Sequence, residues 1–189
     1  MVIIIAKKVE VYSFPLGDMH RRGYDELVRR VCEVKTGRGE WTGVLINDTV
    51  LTSGLLRHDK EFDVEFYRQP QTSGFLLRDF GDILEIAVGN KPNVEGVVGV
   101  QRHPLPNDVL FVIGNFFGKP WELASCKVDM VGACDTLKLG NEMDMDTHVC
   151  GAPVFNRDGA LVGICEAYVP LKDNLVIRFL STNQQGLLQ

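Results

Sequence analysis

The sequence has no apolar run of the roughly 18 to 20 residues that a membrane-spanning helix needs. Its opening stretch, Met1-Val2-Ile3-Ile4-Ile5-Ala6, is too short for the core of a secretion signal, and its lysines follow instead of preceding it; it reads as a strand. Positive charge is not in excess: 20 Lys and Arg stand against 25 Asp and Glu in 189 residues, a formal net charge of −5. That balance supplies no bulk attraction to nucleic acid or anionic lipid. The densest positive points, Arg21-Arg22 and Arg29-Arg30, read as a solvated face, with a nucleic-acid-associated basic patch as an alternative. No C-x-x-C pair occurs among the cysteines, Cys32, Cys126, Cys134, Cys150 and Cys165, and their odd number with mostly apolar neighbours argues against a disulfide framework. A reducing compartment, cytoplasm or nucleus, is expected. Low-complexity segments, internal repeats and sustained helical periods are also missing.

What is present is the punctuation of an all-β protein. Short runs of Val, Ile, Leu and Phe alternate with Gly, Asn, Asp or Pro clusters at spacings of roughly 8 to 15 residues. The expected strands are 2–12, 27–35, 41–46, 49–52, 63–67 and 83–88, then 109–113, 122–132, 152–155, 160–165 and 174–179. The stretch 24–30 is the best helical candidate, although it also reads as the start of a strand. Asn156-Arg157-Asp158-Gly159 joins two of the later runs as a hairpin. A Pro-rich stretch from Gly89 to Asp108 divides the chain near its middle. Two packed barrels are expected: an N-terminal one over residues 1–92, a connector over 93–108 and a C-terminal one over 109–189.

The most informative segment is Asp144-Met145-Asp146-Thr147-His148-Val149-Cys150-Gly151-Ala152-Pro153-Val154-Phe155. A reactive side chain, two small residues, a proline and an apolar strand suit a nucleophile loop, because small residues let the backbone approach a substrate carbonyl. A buried, inert thiol has the same residue pattern. His148-x-Cys150 offers two metal ligands, but no second pair has zinc spacing, so neither a metal nor another cofactor is expected. Gly114-Asn115-Phe116-Phe117-Gly118 lacks the Lys-Ser/Thr of a phosphate cradle. Trp41 and Trp121 read as core or barrel-closing residues.

The loop resembles that of the trypsin-like, double β-barrel serine proteases, and within them the HtrA/Deg type. That family carries a Gly-Asn-Ser-Gly-Gly-Pro-Leu loop before an Asp-Gly turn and a Val-Ile-Gly-Ile strand; here stand His148 to Val154, Asp158-Gly159 and Leu161-Val162-Gly163-Ile164. Val112-Ile113-Gly114-Asn115-Phe116-Phe117-Gly118 is similar to the family's Ala-Ile-Gly-Asn-Pro-Phe-Gly. Asp82-Ile83-Leu84-Glu85-Ile86-Ala87-Val88 resembles the strand carrying the catalytic aspartate. Trp41-Thr42-Gly43-Val44-Leu45-Ile46 and Val50-Leu51-Thr52-Ser53-Gly54-Leu55-Leu56 resemble the family's Gly-Ser-Gly-Phe-Ile-Ile and Leu-Thr-Ala-Ala-His-Val. The resemblance spans about residues 25 to 180 and implies two packed, antiparallel, six-stranded β-barrels. It is to a protease domain alone, with no PDZ-like segment expected.

The departures decide the expected function. The position of the general base is Leu55, which can neither take nor return a proton. Asp82 then has no histidine to orient. Cys150 stands for the usual serine and, with an ordinary thiol pKa, would be a few per cent thiolate at neutral pH. One oxyanion donor falls on His148 instead of glycine, and Val149 replaces a polar residue. The resemblance therefore implies a pseudoprotease with a degenerate triad (Leu55, Asp82, Cys150) and an altered oxyanion loop (His148, Val149). It is expected to act as a protein-binding module, with Leu55, His148 and Cys150 as cleft candidates, a peptide or domain as partner, and self-association as a further option. The alternative is a cysteine protease whose base is displaced to His148 or His58. His20 and His103 fall in loop-like segments. With Asp82 still in place, Leu55→His combined with Cys150→Ser and His148→Gly is expected to recover weak peptidase activity.

Overall fold

The computed structural model describes residues 2–12, 18–133 and 145–180, with backbone alone for 18–22. Cys134, Asp144 and the side chains of His20, Arg21 and Arg22 lie outside the described residues. The chain begins with β1 (Val2–Val11), α1 (Asp18–Leu27) and a 3-10 turn (Val28–Arg30). Then come β2 (Val31–Thr36), β3 (Gly39–Ile46), β4 (Thr49–Ser53), β5 (Glu61–Phe66), β6 (Thr72–Asp79) and β7 (Ile83–Val88). After the connector follow β8 (Val109–Phe116), β9 (Lys119–Ala133), β10 (Pro153–Phe155), β11 (Leu161–Val169) and β12 (Asn174–Phe179). They close into two antiparallel six-stranded barrels, in the orders β2-β3-β4-β7-β6-β5 and β1-β12-β11-β10-β8-β9.

Strands buried on both faces explain why the sequence shows apolar runs instead of alternation. In β3, Leu45 fills the first barrel while Val44 and Ile46 turn into the layer between the barrels. In β7, Leu84 and Ile86 point inward and Ile83 joins the same shared layer. That layer also takes Tyr24 and Val28 from the helical segment and Ile113, Leu123, Phe155 and Ile164 from the second barrel. Trp121 fastens the two barrels, donating from Nε1 to Val31 O at 2.9 Å and meeting the Tyr67 ring edge-on at 5.6 Å.

Three expectations are corrected. The expected N-terminal barrel of 1–92 does not include β1, which pairs with β12 (Ile4 opposite Ile177) and β9 (Val2 opposite Ala133). Residues 109–189 supply only five of the second barrel's strands, and β1 closes it, with Ile4 and Ala6 in that core. The strand expected from residue 27 begins at Val31, because Tyr24 and Val28 meet the shared layer with helical spacing. β6 was hidden by its turn-like Gln71-Thr72-Ser73-Gly74; a Cβ on Gly74 would sit 2.9 Å from Ile86 Cγ2, so the strand needs the glycine to pack.

Candidate functional site

Cys150 sits in the turn that leads into β10, at the seam of the barrels. Thr42 of β3 fixes that turn. Its N–H donates to Cys150 O at 3.1 Å, and its hydroxyl donates to His148 O at 3.0 Å. Its carbonyl accepts the Thr52 hydroxyl at 2.7 Å. Gly151 has φ +91°, and a Cβ there would lie 1.9 Å from Thr42 O. Gly151→Ala is therefore expected to destabilise the protein by about 3 kcal/mol, measured by urea unfolding. A loss below about 1 kcal/mol would show that the seam relaxes around the new methyl.

The thiol is closed off. Cys150 is fully buried, and its Sγ donates to Glu166 O at 2.7 Å. Burial first, then the Glu166 and Asp146 carboxylates, push its pKa up to about 12. At neutral pH only about one thiol in 10⁵ is then ionised, far below the few per cent of an ordinary cysteine. The His148 amide, expected at the place of one oxyanion donor, is engaged within the loop, and so is the amide of Cys150. Cys150 N donates to Thr147 O at 3.0 Å, and His148 N donates to Asp146 Oδ1 at 3.0 Å. An oxyanion hole requires these donors to point at incoming charge. The loop has neither of them available.

Neither histidine alternative gains a contact with the thiol. The exposed His148 ring engages Glu40 O through Nδ1 at 2.8 Å, away from Sγ's partner Glu166. His58 is exposed in the turn before β5. His103 packs edge-on against Phe179 at 4.5 Å. Val149 is buried in the core of the second barrel and supplies no polar group.

Leu55 lies in a one-turn 3-10 helix (Gly54–Leu56) and is 52% exposed. The turn rests on the Asp82 backbone, with Gly54 N donating to Asp82 O at 2.9 Å. The Asp82 carboxylate, expected to have nothing to orient, faces a cation: its Oδ2 is 3.7 Å from Arg178 Nη1. Arg178 is 8% exposed and its Nη2 also binds Glu166 Oε1, so one guanidinium ties both carboxylates across the barrels. Arg178, Glu166, Asp146 and Thr42 were not read from the sequence. A signal existed for Arg178, the lone charge in the apolar run Leu175-Val176-Ile177-Arg178-Phe179, which has to find a partner when buried.

Among the described residues no group of three or more His, Cys, Asp or Glu is placed to hold a metal ion. Cys32, Cys126, Cys150 and Cys165 are all buried and free. A cavity of about 940 Å³ lies elsewhere, lined by Tyr24, Leu27, Val98, Phe111 and Arg157, and neither Leu55 nor Cys150 borders it.

No protein-family model matches the chain, and no curated protein does. Solved structures do. The inactive form of the Rv3671c protease of M. tuberculosis matches with a TM-score of 0.72 at 13% identity, over 94% of this chain and 95% of that one. The fold is that of the trypsin-like proteases. The MamO protease domain of Magnetospirillum magneticum is similar at a TM-score of 0.65 and 16% identity, covering 85% of this chain and 95% of its own. A human pathogenic astrovirus serine protease follows at 0.59 and 12%, covering 82% and 91%. The likeness is one of fold, two six-stranded antiparallel barrels packed together.

Proposed function

We propose that this chain is a catalytically silent protease-fold domain that binds another protein at the seam around Leu55. The observation that carries the reading is the exposure of Leu55, the residue that the sequence resemblance sets against the family's proton acceptor. A hydrolytic site gains nothing from a half-exposed apolar side chain there, whereas an extended or apolar segment of a partner does. The buried thiol and the two engaged amides support it, since each separately opposes acyl transfer. No geometry favours His148, His58 or the Arg29-Arg30 region over this reading.

The test compares wild type with Leu55→Glu. An isolated carboxylate pressed into an apolar contact is expected to weaken partner retention from native lysate at least about tenfold. Equal retention by both proteins places binding elsewhere. Catalytic cleavage of peptide by the wild type, lost in Cys150→Ala, would replace the reading with the cysteine-protease alternative.

A further inference from the structure

Asp146 makes three hydrogen bonds, to the thiol turn, to the β8–β9 turn and to β11. Its N–H donates to Tyr168 O at 2.8 Å, forming an isolated antiparallel bridge with β11. Its carboxylate accepts His148 N on Oδ1 at 3.0 Å and Phe117 N on Oδ2 at 3.2 Å. The last partner sits in the tight β8–β9 turn, where Phe117 has φ +55° and Gly118 φ +80°. The carboxylate thus joins the thiol turn to a second hairpin, while the amide of the same residue pairs with the edge of β11.

That edge has an unusual occupant. β10 covers β11 only as far as Pro153 opposite Ile164, yet β11 runs on to Val169. Beyond β10 the edge is met by the chain's own loop: Gly151 N donates to Cys165 O at 2.8 Å, Cys150 Sγ to Glu166 O at 2.7 Å and Asp146 N to Tyr168 O at 2.8 Å. We infer that Asp146 is a latch. Its carboxylate holds the Thr147–Cys150 turn shut along the edge of β11, and its loss exposes the thiol and that edge together. An uncovered strand edge pairs with extended peptide, so the latch competes with an incoming segment for the carbonyl of Tyr168. Only the identity of that competitor rests on the binding reading; the latch itself acts without a partner.

The experiment is site-resolved alkylation of the native full chain with iodoacetamide, read by peptide mapping. In wild type, Cys32, Cys126, Cys150 and Cys165 are all expected to react slowly, because all are buried. In Asp146→Ala the Cys150 rate is expected to rise at least about tenfold through local opening, with the other three unchanged as internal controls. Asp146→Asn keeps the shape but offers one acceptor where two are used, and is expected to give a smaller rise at the same cysteine; it serves if the alanine variant does not fold. A Cys150 rate no faster in folded Asp146→Ala or Asp146→Asn overturns the inference. So does a parallel rise at all four cysteines, which reports global destabilisation.

Discussion

The triple variant Leu55→His, His148→Gly, Cys150→Ser is expected to stay at least about 10⁴-fold below an intact Ser-His-Asp enzyme. Sequence matching alone points the other way, toward weak recovery, because Asp82 is present. The geometry removes that expectation at three places. The Asp82 carboxylate faces Arg178, so a histidine introduced at 55 competes with a buried guanidinium for its orienting partner. The amide of residue 150 is given to Thr147 O, and each lost oxyanion donor costs about 10² to 10³ in rate. Finally, the group at position 150 points at Glu166 O, so a serine hydroxyl there has an acceptor other than the new histidine. Hydrolysis of fluorescent casein is the assay, with Cys150→Ala as background. Turnover clearly above that background would mean that Arg178 releases Asp82 and that the loop rearranges around substrate.

The second large effect is thermodynamic. Between pH 7 and pH 10 the protein is expected to lose at least about 4 kcal/mol of stability from two thiols. Burial is the first cause at both Cys126 and Cys150, and it raises each to about 12. In the unfolded chain each ionises near the ordinary value of about 8.5, so above that pH the folded state holds the proton that the unfolded state has released. The stabilisation is complete below pH 8.5 and falls as pH rises toward 12, by about 1.4 kcal/mol per unit and per thiol. Cys32 and Cys165, raised in the same direction by burial, steepen the loss. Urea unfolding in reductant at stepped pH measures the slope, and Cys126→Ala is expected to flatten it by one thiol's share. A stability independent of pH up to 10 would show that these thiols are not shielded from water.

Most of the scaffold was legible because its strands are short, apolar and separated by turn residues. β7 and β12 were read with the bounds they have, Ile83–Val88 and Asn174–Phe179. β6 was not, since a packing glycine beside Thr72-Ser73 looks like a turn until Ile86 and Val64 are seen against it. The place of β1 was equally out of reach: apolar residues at the start of a chain declare a strand but not which barrel lacks one. At the site, Leu55, His148 and Cys150 could be singled out by position, whereas the groups that close the thiol turn could not. Asp146 works through its own amide and two others' amides, and backbone partners leave no trace in a side-chain pattern. Glu166 receives the thiol on its carbonyl, for which any residue type would serve.

The pairing of Ile3 with Arg178 also dictates an order of assembly during synthesis. The first barrel uses one contiguous stretch, β2 to β7, and is complete once residue 88 has left the ribosome. The ten-residue β1 emerges before that barrel yet has no neighbour until β9 arrives, and its other flank waits for β12. An aliphatic edge is thereby left unsheltered while β2 to β8 are made, the condition under which nascent chains recruit chaperones or stick to one another.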